Sequence, residues 1–142
     1  MIEYTVGLMI VGEEIAFIRK LKPNWQEGRL NGIGGHVEPD ETPEHCMVRE
    51  FEEETGYRHE EWWKFAEMRY EVATENEKIV HFFWAKLDEK PELKNTTAEV
   101  IEWHQFSQTR IRRDFVPNLE YLVHLAMGLD ALTKLKEQFH HE

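Results

Sequence analysis

Three glutamates within five positions, Glu50, Glu53 and Glu54, are the side chains of this sequence most suited to chemistry. At about 100° per residue on a helix, with Glu50 at zero, Glu53 falls near 300° and Glu54 near 40°. The three carboxylates therefore share one face, while Glu52, near 200°, points away. Like charges at these spacings repel, so a folded chain tolerates them when they are solvated, paired with cations, or ligating a metal. Their oxygens are hard donors suited to a hard divalent cation. Arg49 stands directly before them and could form an ordinary helix ion pair. Taken alone, the cluster also fits a solvated acidic face.

The flanking residues narrow that choice. Gly35 is followed after five positions by Glu41, then after seven by Arg49-Glu50-Phe51, after one by Glu53-Glu54, and after one by Gly56-Tyr57. Seven fixed letters at such spacing arise by chance in about one window in 10⁷, even in a Glu-rich chain. The pattern resembles the Nudix box, G-x5-E-x7-R-E-U-x-E-E-x-G-U with U a bulky aliphatic residue, over residues 35–57. Phe51 and Tyr57 stand where that family usually carries Ile, Leu or Val, and both keep large apolar volume. The resemblance implies an α/β (α+β) fold, an α/β/α sandwich around a mixed β-sheet. It also implies hydrolysis of a nucleoside diphosphate linked to a second moiety, using a divalent cation and water. Mg²⁺ is the expected cofactor, with Mn²⁺ able to substitute. Glu50, Glu53 and Glu54 are the implied metal ligands, with the Gly35 carbonyl and Glu99 as further donors. Arg49 is expected to orient a box glutamate, Glu41 to support the loop, and Gly56 to close the helix. The general base is expected to be Glu53, or Glu99 on a later loop; Glu99 could also be a plain surface residue.

Outside the box the similarity is to the MutT-like branch of nucleoside triphosphate pyrophosphohydrolases. Asn31-Gly32-Ile33-Gly34-Gly35 resembles the N-G-F-G-G run that leads into the box of oxidised-purine triphosphatases, which makes Asn31 and Gly34 expected substrate contacts. Arg19-Lys20 fall on a basic pair at the end of the second strand, where a cation can meet phosphate. Pro117-Asn118 resembles a segment from which a side-chain amide reads a purine edge, since an amide both donates and accepts. Asn118 could instead be only the N-cap of the last helix. The expected reaction is cleavage of a nucleoside triphosphate, oxidised or otherwise modified bases included, to the monophosphate and pyrophosphate. ADP-ribose, nucleotide sugars and dinucleoside polyphosphates are alternative substrates. A non-catalytic nucleotide sensor is a further alternative, although that class commonly loses the box carboxylates present here.

Elements must position these residues. Tyr4 to Val11 and Ile15 to Ile18 read as two β-rich strands around a Gly12-Glu13-Glu14 turn. Lys20 to Gly35 is loop-like. Thr42-Pro43 is an N-cap and N1 pair and Gly56 a C′ residue, which predicts a helix over Pro43 to Thr55. Trp62 to Val72, Ile79 to Leu87 and Val100 to Phe106 read as strands, interrupted by Glu75-Asn76-Glu77 and Pro91. From Asn118 to Phe139, Leu119, Leu122, Ala126, Leu129, Leu132 and Phe139 recur at helical spacing, predicting a long C-terminal helix packed on its own sheet or on a second copy.

The length of 142 residues fits one domain over 1–142. Apolar residues make up 41% and aromatics 12%, enough for a packed core. The net charge is −11, and 24 of the 28 acidic residues are Glu. Such a surface argues against nucleic acid or anionic membrane as partners and leaves a small nucleotide delivered with metal. Cys46, the only cysteine, excludes an internal disulfide, suits a cytoplasmic location and reads as packing. None of the eight histidines, His140-His141 included, stands at a metal-binding spacing. The sequence predicts no targeting segment or membrane span, and the expected state is a monomer or homodimer. Trp25 and Trp103 are aromatic enough to stack on a base, but neither is assigned that task.

Overall fold

In the computed structural model, which describes residues 1–71 and 77–140, strand β1 (Ile2–Val11) runs through the middle of the sheet. Its alternating side chains divide the core. Leu8 and Ile10 join one buried cluster and Met9 the other. β1 turns at Gly12, whose φ of 61° is left-handed, into β2 (Glu14–Arg19). β5 (Lys78–Leu87) lies parallel to β1 over ten residue pairs, and β4 (Trp63–Tyr70) is antiparallel to β5. β3 (Leu30–Asn31) and β6 (Val100–Gln105) both pair with β2, giving a mixed sheet of six strands among the described residues.

One departure from regular pairing creates the site. β2 pairs with β1 only at Met9 to Val11 and then, along the same edge, with β3, while β6 lies along its other edge over its whole length. The freed edge of β1 takes the segment 33–36 instead: Gly7 N–H donates to the Ile33 carbonyl at 2.7 Å, and Thr5 N–H to the Gly35 carbonyl at 2.8 Å. Gly34 is required there, because a Cβ would run into the Thr5 carbonyl.

Helix α1 (Pro43–Thr55) has the predicted bounds. The Thr42 hydroxyl caps it by accepting from His45 N–H at 3.2 Å, and Gly56, at φ 75°, closes it by donating to the Glu52 carbonyl. Met47 and Phe51 bury against Met9, Ile18, Ile33, Trp62 and Phe83. The opposite sheet face packs Leu8, Ile10, Phe17 and Trp84 on Leu119, Val123, Ala126 and Met127 of α3 (Leu119–His140). The expected α/β/α layering therefore forms, with α1 and α3 as its outer layers.

Several expectations shift. β3, a 3₁₀ turn at Asn24–Gln26 and the short helix α2 (Phe106–Thr109) arise where loop or strand was predicted. Leu132 is 54% exposed, outside the buried stripe. It lies about 220° around the helix from Leu119, so a face that buries one must expose the other. Val72, Glu75, Asn76 and His141, with the side chain of Phe139, lie outside the described residues.

Candidate active site

Arg49 organises the box. Its guanidinium is held in a two-point pair by Glu41, with both N···O distances 2.8 Å. Nη1 donates to Glu50 at 2.9 Å and to Glu53 at 3.1 Å, and Nη2 donates to the His36 carbonyl at 3.1 Å. The planar fork of arginine suits this many-sided contact better than a point charge would. Hydrogen bonds from Arg49 outweigh burial and hold the Glu41 carboxyl at about 2. Glu41 also accepts Glu38 N–H at 3.1 Å, which ties the 38–41 loop to the helix.

Glu50 and Glu54 behave differently. Burial, the largest influence on each, pushes both carboxyls above the ordinary carboxylate range. Arg49 partly offsets this at Glu50. At Glu54 the charge of Lys20 offsets it, while Glu99, Glu50 and Glu53 add to it. Glu54 Oε2 is buried without a hydrogen-bond partner. Glu53 is the most open of the trio, its side chain 58% exposed. Among the described residues no three His, Cys, Asp or Glu side chains stand close enough to one point to hold an ion as placed. Arg49 bridges Glu50 and Glu53 instead. The donor set nevertheless fits a divalent cation: all its atoms are carboxylate oxygens, two carboxyls are disfavoured as bare anions, and one buried oxygen is orphaned.

Gly35 makes room for this set, since a Cβ there would strike the Glu50 carboxylate. Its carbonyl, expected as a metal donor, is turned to β1 and accepts the Thr5 N–H. Cys46 is buried beside it, with the thiol pushed up to about 11 chiefly by burial. Glu99 is buried. Its Oε1 accepts from Lys20 Nζ at 3.1 Å, and its Oε2 from the amides of Leu21 at 2.8 Å and Lys22 at 3.4 Å. Burial opposes ionisation of Glu99, but these donors together hold its carboxyl below the usual range.

A cavity of about 480 Å³ opens beside the box. Its floor continues the α3-facing side of the sheet, with Tyr4, Val6, Val80 and Phe82 following Leu8 and Trp84. Lys20, Asn31 and Gly34, offered from sequence as substrate contacts, line it, and so does Gly35, offered there as a metal donor. Arg19 does not: Glu102 takes it at two points, both 2.8 Å, and Asp114 at 2.7 Å. Asn118 is exposed and does not line the cavity, whereas its neighbours Pro117 and Leu119 do. Its φ of 72° is left-handed, unlike the extended backbone of an N-cap. Trp25, 59% exposed and named from sequence as able to stack on a base, completes the wall with His36 and Tyr70. Trp103 packs on the α1-side core. No described helix is long and apolar enough to cross a membrane.

A family model for the NUDIX domain matches residues 1–125. Among solved structures, a MutT NUDIX hydrolase from Burkholderia pseudomallei superposes with a TM-score of 0.74 at 16% identity, covering 87% of this chain and 95% of that one. An Ap4A hydrolase from C. elegans matches with a TM-score of 0.71 at 18% identity, over 92% of this chain and 98% of that one. A bifunctional NMN adenylyltransferase/ADP ribose pyrophosphatase from Francisella tularensis, complexed with AMP and a Mn ion, matches with a TM-score of 0.69 at 16% identity, over 89% of this chain and 41% of that one.

Proposed function

The chain belongs to the NUDIX domain family, and from that premise we propose that it is a Mg²⁺-dependent pyrophosphohydrolase. Its proposed substrate is a nucleoside triphosphate, cleaved to the monophosphate and pyrophosphate. The observation that carries this reading is the continuity of the aromatic-walled cavity with the box carboxylates through Gly34 and Gly35. A nucleoside in the cavity directs its phosphate chain over the two glycines, where no side chain blocks the approach to Glu50. The fit of cavity to nucleoside rests on Tyr4, Trp25, Tyr70 and Phe82 as apolar ring surface, with Asn31 and Gln26 as amide groups.

Glu50, Glu53 and Glu54 would hold the cation, Mg²⁺ with Mn²⁺ as substitute. Bound there, it supplies positive charge that neutralises the phosphate oxygens and makes phosphorus susceptible to attack. Glu53 is the exposed member and takes the proton from the attacking water. Arg49 keeps Glu50 and Glu53 together on one face of α1, and Glu41 keeps Arg49 there. Lys20 meets phosphate at the end of the cavity nearest Glu54. The whole of residues 1–142 acts as one domain on a small nucleotide.

The test is a panel of (d)NTPs, ADP-ribose, nucleotide sugars and dinucleoside polyphosphates, with products identified in ¹⁸O-labelled water and Mg²⁺ or Mn²⁺ supplied. Label in the monophosphate or pyrophosphate of an NTP supports the reading. Turnover confined to ADP-ribose or a dinucleoside polyphosphate overturns the substrate assignment. A Glu53→Gln protein that cleaves at the wild-type rate overturns the assignment of Glu53, since loss of a base should cost about 100-fold or more.

A further inference from the structure

Both oxygens of the Glu99 carboxylate already accept hydrogen bonds. Oε1 receives Lys20 Nζ at 3.1 Å; Oε2 receives the amides of both Leu21 and Lys22. These donors belong to one short stretch immediately after β2. The same stretch is closed from the other side by main-chain bonds, Lys20 N–H to the Arg29 carbonyl and Gly28 N–H to the Lys20 carbonyl, both 2.8 Å. Between those anchors lie Pro23, Trp25 and Gln26, which form one wall of the cavity. Glu99 itself is fixed at the start of β6, its N–H donating to the Thr97 hydroxyl at 3.1 Å. It does not line the cavity, whereas Lys20 does.

We propose that Glu99 is a positioning residue: it holds the Lys20 ammonium at the box end of the cavity as a phosphate-binding cation, and it is neither the general base nor a metal ligand. A base must present a free lone pair to water, and a ligand must present one to the ion; three of the roughly four acceptor sites of Glu99 go to a cation and two amides, and its side chain does not line the cavity. Lys20 in turn faces two carboxylates, Glu99 in contact and Glu54 through its field. A substrate phosphate brought to that point replaces the attraction of Glu54, while Glu99 keeps the flexible lysine stem from turning to solvent. This inference rests on the nucleotide-hydrolase reading for its substrate but not for its geometry.

The experiment is a double-mutant cycle of Glu99→Gln and Lys20→Met in the full chain. It is read twice, by steady-state kinetics on an NTP and by equilibrium binding of inorganic tripolyphosphate with Mg²⁺. Gln still accepts the Leu21 and Lys22 amides but no longer attracts the ammonium. Each single variant is expected to raise KM and the tripolyphosphate Kd about tenfold with kcat within about threefold, and the double variant to be no weaker than Lys20→Met alone. A fall in kcat of about 100-fold in Glu99→Gln with unchanged KM, or a rise of about tenfold in the Mg²⁺ concentration it needs, overturns the proposal. Additive losses in the cycle overturn it as well. Tripolyphosphate binding that neither substitution weakens sinks this inference and leaves the hydrolase reading standing. A wild-type protein that binds tripolyphosphate through the cycle described but cleaves no NTP sinks that reading and supports this one. Glu99→Ala, which also loses the amide contacts, should in addition loosen the Trp25 wall, seen as increased acrylamide quenching of tryptophan fluorescence.

Discussion

Replacing Arg49 with Met should destabilise the metal-free protein by about 3 kcal/mol at pH 7, and the loss should shrink as the pH falls. Three carboxylates lose their shared partner. A carboxyl held from 4.5 down to about 2, as Glu41 is, corresponds to roughly 3.4 kcal/mol at full strength. Arg49 is 31% exposed, so solvent screens the pair and about half of that, ~1.7 kcal/mol, is the reasonable share. Glu50, whose side chain is only 14% exposed, is left without compensation and adds about 1 kcal/mol. Glu53, 58% exposed, contributes an i,i+4 pair of about 0.3 kcal/mol. With an unfolding entropy of about 0.3 kcal/mol/K for a chain of this length, the midpoint should drop roughly 10 °C. The sign with pH follows from Glu41. Its folded value is depressed, so its contribution is complete above 4.5 and is lost as the pH falls from there through about 2. Thermal melts with a chelator at pH 7, 4 and 2.5 provide the assay. A loss under about 1 kcal/mol at pH 7, or a difference that does not narrow with acid, would refute the claim that Arg49 compensates buried charge.

Gly35→Ala should cut kcat/KM about 100-fold while costing under about 2 kcal/mol of stability, because the new methyl displaces the Glu50 carboxylate and not the core; kinetics within threefold of wild type would contradict this. Burial raises the carboxyls of Glu50 and Glu54, so above 4.5 the folded chain binds more protons than the unfolded one. Metal-free stability should therefore decline as pH rises from there through their raised folded values, and saturating Mg²⁺ should flatten that decline, as urea titrations between pH 5 and 8 can show. Phe51→Ala should cost about 3–5 kcal/mol, since Phe51 is fully buried between α1 and the sheet. Leu132→Lys should change stability by less than about 0.5 kcal/mol, and a loss above 2 would mean that something covers that face.

The parts of this site that a reader of the sequence can find are those built by one helix. Thr42-Pro43 and Gly56 mark the ends of α1, and the 3.6-residue period places Glu50, Glu53 and Glu54 together, so neighbours in space are neighbours in sequence. The cavity obeys no such rule. Tyr4 meets Val80 because β1 lies parallel to β5, and Tyr70 joins them through the antiparallel β4. In sequence each is an unremarkable strand residue. Arg19 and Lys20 show the limit most sharply, because Arg19 ends β2 while Lys20 lies just past it, in the stretch that Glu99 holds. Adjacency in sequence therefore does not bring both members of this basic pair to one site. Here Lys20 goes to the cavity, and Arg19 to Glu102 and Asp114, acids 83 and 95 positions away. The same pairing of cations with acids bears on the charge of −11. Where the chain gathers acid at the site it also supplies the cations that keep it folded: Arg49 within the cluster and Lys20 at its border. The acidity that a metal must neutralise is the part these two leave uncovered, and the orphaned Glu54 oxygen is its most exact location.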